Sequence, residues 1–122
     1  MAGNDPEAMR LWDETVSGDR EVLVSAVSLF ELYRLGLRGA LARDFAESVL
    51  VNVPQVCEVL WIESLDRVRS GAKLSHGAGL SMADSLILSA LVDEQCREIY
   101  TTDPDLQRYR RKGVEITLLA SS

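Results

Sequence analysis

Two rhythms of apolar and polar positions alternate along this chain. The apolar run Val22-Leu23-Val24 and the short, largely apolar stretches Val56–Leu60, Glu98–Thr101 and Val114–Leu118 predict brief strands. Longer stretches with apolar residues three and four apart predict helices. These cover Pro6 to about Ser17-Gly18, Ser25 or Ser28 to about Leu37, Arg43–Val51, Ile62–Ser70, Ser81 to about Glu94, and Pro104–Lys112. Punctuation supports the boundaries. Asn4-Asp5 before Pro6 forms a cap with proline at the first helical position, Asn52 and Pro54 stop one helix, and Gly71 and Gly113 stop two others. The glycine-rich Ser75–Gly79 stretch reads as loop. Strands alternating with helices predict an α/β domain with a mainly parallel central sheet flanked by helices.

With 122 residues the chain is the size of one domain, and no linker or repeat divides it. Apolar residues are 47% and charged residues 26%, which excludes a wholly disordered chain. No apolar run approaches the roughly 20 residues that span a bilayer. No signal peptide precedes the first helix, so a cytoplasmic location is expected. Two cysteines, Cys57 and Cys96, and one histidine, His76, are too few and too scattered for a zinc site or a disulfide framework. The net charge of −6 opposes long-range attraction to nucleic acid, although an average says nothing of a single cleft.

Ligands of an open parallel sheet sit beyond the carboxyl ends of its strands. Three acids fall there: Asp103 after the third strand, Asp84 in the first turn of the Ser81 helix, and Glu31 on the helix after Val22–Val24. Each also has a purely structural explanation. Asp103 can cap the helix that begins at Pro104, Asp84 fits a capping box with Ser81, and Glu31 can pair with Arg34 one turn on. The helical wheel sets Asp84 on the flank of the stripe formed by Ala83, Leu86, Ile87, Ala90 and Leu91, where a carboxylate needs a proton, a partner or a cation.

The stretches VLVSAVSLFELYRLGLR (22–38), GLSMADSLILSA (79–90) and IYTTDPDL (99–106), followed by GVEITLL, resemble a PIN domain, and more narrowly VapC-type toxins of toxin–antitoxin pairs. The resemblance implies a three-layer fold over the single domain 1–122 and a metal-dependent endoribonuclease. It assigns Glu31, Asp84 and Asp103 as catalytic ligands of Mg²⁺ or Mn²⁺, with Thr101 at a hydroxyl position beside the last and able to touch substrate. A metal-activated water would cleave RNA, and a divalent cation would relieve the repulsion among crowded carboxylates. The implied partners are RNA, a cognate antitoxin that inserts an Arg or Lys among the acids, and a second copy in a homodimer; no membrane is involved.

Members of that family begin with a further strand ending in an aspartate, whereas this chain starts at the following helix. Asp5 reads as a helix cap and not as that ligand. A start upstream of Met1, a strand borrowed from a neighbour, and a truncated relative of low activity are the three accounts. The first is preferred because everything downstream is intact. The second function class is therefore a PIN-like binding module with an incomplete metal site. A nucleotide-binding α/β protein is the third and weakest, because no glycine-rich phosphate loop follows any strand. Elsewhere, Arg108–Lys112 can grip phosphate but fits better as the basic last turn of a helix. His76 has no catalytic role, and Trp12, Trp61 and the Leu29, Phe30, Tyr33, Leu37 face are expected in the core or an interface.

Overall fold

The computed structural model describes residues 6–101, 103–109 and 111–118, so the expected Asn4-Asp5 cap lies outside the described residues, as do Thr102 and Arg110. The elements run α1 (Pro6–Ser17), β1 (Leu23–Ser25), α2 (Ala26–Leu37), α3 (Arg43–Val56), β2 (Glu58–Leu60), α4 (Leu65–Ala78), α5 (Met82–Asp93), β3 (Glu98–Thr101), a 3₁₀ helix (Pro104–Arg108) and β4 (Glu115–Leu118). This is the mixed α/β class with parallel strands. Among the described residues no helix is long and apolar enough to cross a membrane.

Serine caps fix three helix starts. Ser25, Ser64 and Ser81 accept backbone N–H bonds from Val27, Arg67 and Asp84, satisfying donors that the first turn leaves free. Of the two serines proposed to open α2, Ser25 does so, directly at the end of β1.

Several boundaries differ from those expected. Helix α3 does not stop at Asn52 but continues through Pro54 to Val56. Proline there removes one donor in the last turn, and Cys57 N–H closes the end on Val53 O. Helix α4 begins at Leu65 and passes through Gly71 to Ala78, so His76 lies in a last helical turn and not in a loop. Gly71 is a packing residue: a Cβ there would meet Leu86 Cδ2 at 2.8 Å. The stop is Gly79, whose φ of 68° closes the helix in the left-handed region. The segment after Pro104 is a five-residue 3₁₀ turn and does not reach Lys112.

Strand β1 pairs in parallel with β2, Leu23 opposite Glu58 and Ser25 opposite Leu60; β3 pairs in parallel with β4, Glu98 opposite Glu115 and Thr101 opposite Leu118. Among the described residues these remain two separate pairs and do not form one continuous sheet. A core of Leu80, Leu88, Ile99 and Leu106 joins α5 to β3 and the 3₁₀ helix. The buried residues of α5 are Ser85, Leu88, Ser89 and Ala90, whereas Ala83, Leu86, Ile87 and Leu91 of the expected apolar stripe are half-buried. The two serines are tolerated because Ser85 donates to Leu80 O and Ser89 to Leu86 O. Phe30 and Trp61, expected in the core or an interface, are 67% and 63% exposed in the single chain.

Candidate metal centre

Two of the three acidic side chains expected at the site stand where an element begins. Asp84 is the third residue of α5, which Ser81 caps. Asp103 follows β3 and caps the 3₁₀ helix, its Oδ1 accepting the Asp105 N–H at 2.9 Å. The Thr101 hydroxyl accepts the Asp103 N–H at 3.0 Å, fixing the turn that presents that carboxyl. Glu31 lies midway along α2, the helix that β1 feeds.

Folding brings Asp84, Asp103 and Asp105 together: one carboxylate oxygen from each lies within 4.8 Å of the others. The first two are half-buried and the third is exposed. Glu31 stands outside that trio but within its field. Its pKa is raised first by burial, then by the charges of Asp84 and Asp103, with attraction to Arg34 as the smallest and opposing influence. Asp84 is raised by burial and by Asp103, against a hydrogen bond with Ser81; Asp105 and contact with the Asp103 carboxyl raise it further. Like charges held this close disfavour ionisation of the group. Among the described residues no ion pair joins Glu31 to Arg34, and no basic side chain forms an ion pair with Asp84, Asp103 or Asp105.

The structural explanations and the site therefore coexist. Asp103 caps a helix with one oxygen, and Asp84 engages Ser81, yet both remain in the trio. Asp105 was not singled out from sequence. Its signal was the Asp-Pro-Asp spacing, because a cap at Asp103 followed by proline winds the next acid back toward the cap.

The donor set suits a hard divalent cation. It offers only carboxylate oxygens, with room for waters on the exposed Asp105 side, which matches the preference of Mg²⁺ and Mn²⁺ for oxygen ligands. No histidine or cysteine belongs to the cluster that would favour zinc.

The PIN domain family model matches residues 3–112, a span that includes all four acids and both strand pairs except β4. PIN domains are generally nucleases that use divalent metal ions on nucleic acid. Neither the curated proteins nor the solved structures compared with the chain give a match. With most of its length covered, and with helices and parallel strands gathering acids at the strands' carboxyl ends, the chain belongs to the PIN domain family.

Proposed function

We propose that this chain is a metal-dependent endoribonuclease acting as the toxin of a toxin–antitoxin pair in the cytoplasm. The observation that carries the reading is the acidic trio with no basic partner among the described residues, beside Glu31, whose own carboxyl those charges disturb. Asp84 and Asp103 would hold Mg²⁺ or Mn²⁺ with Glu31 and Asp105 completing the negative field. A bound ion supplies Lewis-acid chemistry, lowering the pKa of a coordinated water and neutralising charge at the phosphodiester.

The chain's residues have separable tasks. Asp103 is held in place by Thr101 and by its own capping bond, so its carboxyl keeps one orientation. In this reading Thr101 positions Asp103 and stands next to the substrate. Asp84 is fixed by the first turn of α5, whose N-terminal N–H groups also favour an anion. An antitoxin arginine or lysine entering the trio would replace the cation by charge and geometry. The exposed Phe30, Leu35 and Leu37 of α2 support a protein partner, either antitoxin or a second copy of the chain.

The test is cleavage of structured and single-stranded RNA with and without Mn²⁺, alongside calorimetric titration of Mn²⁺. Metal-dependent cleavage that Asp103→Ala abolishes is the expected result. No heat of Mn²⁺ binding and no cleavage would assign the chain to the alternative class, a PIN-like binding module without a complete metal site.

A further inference from the structure

The basic stretch near the end of the described chain does not complete a helix. The 3₁₀ helix closes at Arg108, where Tyr109 N–H bonds to Leu106 O, so Arg111 and Lys112 lie beyond it and serve no helix terminus. They stand in a turn that Val114 N–H closes on Arg111 O at 3.1 Å, with Gly113 at a φ of 87° in the place such a turn reserves for glycine. The turn sets both cations on the rim of a cavity of about 540 Å³. Gln107 and Tyr109 line it beside them, and the half-buried Val114 and Ile116, at the start of β4, underlie it.

Among the described residues no carboxylate forms an ion pair with Arg111 or Lys112. Glu115, the next acid along the chain, alternates with Val114 and Ile116 and so belongs to the other face of the ladder. The cavity also has a fixed relation to the acids. Strands β3 and β4 run parallel and in register, with Asp103 beyond the carboxyl end of β3 and the Arg111–Val114 turn at the amino end of β4. Four residues at about 3.3 Å each put those two ends about 13 Å apart. The 3₁₀ helix bridges them, with Asp105 and Gln107 exposed along it. At about 3.4 Å or more per nucleotide, no more than about four nucleotides cover that distance.

We propose that this cavity is a phosphodiester subsite, which grips a backbone phosphate of the same RNA strand a few nucleotides from the bond cut at the acids. It rests on the ribonuclease reading above and deepens it. The Arg111 guanidinium suits two phosphate oxygens at once, Lys112 adds a point charge, and the Gln107 amide and Tyr109 hydroxyl are neutral donors to the same group. The apolar Val114 and Ile116 lie under the sugar. Such contacts hold the strand in register and carry no base preference. A chain of net charge −6 repels a polyanion on average, so its grip on RNA depends on a local positive site of this kind. An acidic peptide is the poorer occupant, because a nuclease of this family must hold a phosphodiester strand on either side of the bond it cuts.

The test is fluorescence anisotropy of a labelled single-stranded RNA of about 12 nucleotides with the full chain in EDTA, so that binding is read without cleavage. Between about 50 and 200 mM KCl, Arg111→Gln/Lys112→Gln should weaken binding about tenfold and lower the slope of log Kd against log salt by about 0.7, the share of one phosphate. Arg111→Lys should keep the slope, because the charge stays, and lose affinity severalfold with the bidentate fork. Circular dichroism checks that these exposed substitutions leave the fold intact. Two results overturn the proposal: the double variant binding with the affinity and slope of the parent chain, or an oligoglutamate of equal charge displacing RNA at equal concentration, which would give the cavity to an acidic protein. Failure of the nuclease reading looks different. In that case the parent chain and Asp103→Ala bind RNA with the full slope, the double variant loses it, and none of them cleaves with Mn²⁺.

Discussion

The two ends of β3 hold carboxylates in opposite circumstances. At its start, Glu98 and the α1 residue Glu14 share Arg20, at 2.8 and 2.7 Å. The hydrogen bond from Arg20 holds the Glu14 carboxyl below its ordinary range, and the arginine itself is raised by both acids. Just past its end, Asp103 meets Asp84 and Asp105 with no paired cation among the described residues, and Asp84 is pushed up. One cluster is neutralised by the fold and ties α1 to the sheet. The other is assembled by the fold and left uncompensated. Acidic content is thus no guide to a site; the sign of the pKa displacement and the presence of a counter-charge separate brace from centre.

The largest test of that contrast is Asp84→Asn. It should lower metal-dependent RNA cleavage by at least about 100-fold, since the lost ion stabilises the transition state by several kcal/mol. Circular dichroism should show the fold retained; unchanged cleavage would strip the trio of its assigned role. Next, Asp105→Asn should weaken Mn²⁺ binding by less than about tenfold in calorimetry, because such ions need only one or two carboxylates. A loss equal to that of Asp84→Asn would make Asp105 a full ligand. Ser81→Ala should cost about 1 kcal/mol in chemical denaturation through the lost cap.

The two clusters also have opposite pH signatures. Glu31 and Asp84 have folded pKa values above their unfolded ones. Their stabilising contribution is complete below the unfolded values of about 4.3 and 3.9, and is lost as pH rises through the folded values. Glu14 is lowered, so its contribution is present above its unfolded value and is lost as pH falls through the folded one. The melting temperature of the metal-free chain should therefore sag on the alkaline side of the carboxylate range, recover on adding Mn²⁺, and sag less in Asp84→Asn. The smallest effect is expected from Arg20→Met. Its ion pairs are partly exposed, so it should lower the melting temperature slightly, with the difference fading at about 1 M salt and RNA cleavage unchanged. A strong loss of cleavage in Arg20→Met would erase the distinction between the two ends.

Much of this was legible locally. Hydrophobic runs and serine caps place every strand and the starts of α2 and α5, because capping and burial act within a few residues. Asp84 and Asp103 could be selected because strand ends and helix starts are marked in the chain itself. Gly71 misled because a glycine that stops a helix and one that admits a neighbour look alike in sequence; only Leu86, from another helix, distinguishes them. Pro54 misled because its cost depends on how few turns follow it. Asp105 was passed over because its partners arrive from α5.

By itself, the order of residues determined the alternation of helices and strands, the caps, and the acids stationed at element boundaries, since these depend on neighbours three or four positions away. Tertiary structure alone decided that Asp84, Asp103 and Asp105 share one space while Glu14 and Glu98 share an arginine. It also decided that, among the described residues, β1 pairs with β2 and β3 with β4 as two separate ladders. The reason is that charge and hydrogen bonding act through space: whether a carboxylate meets another carboxylate or a guanidinium depends on the helix that crosses it.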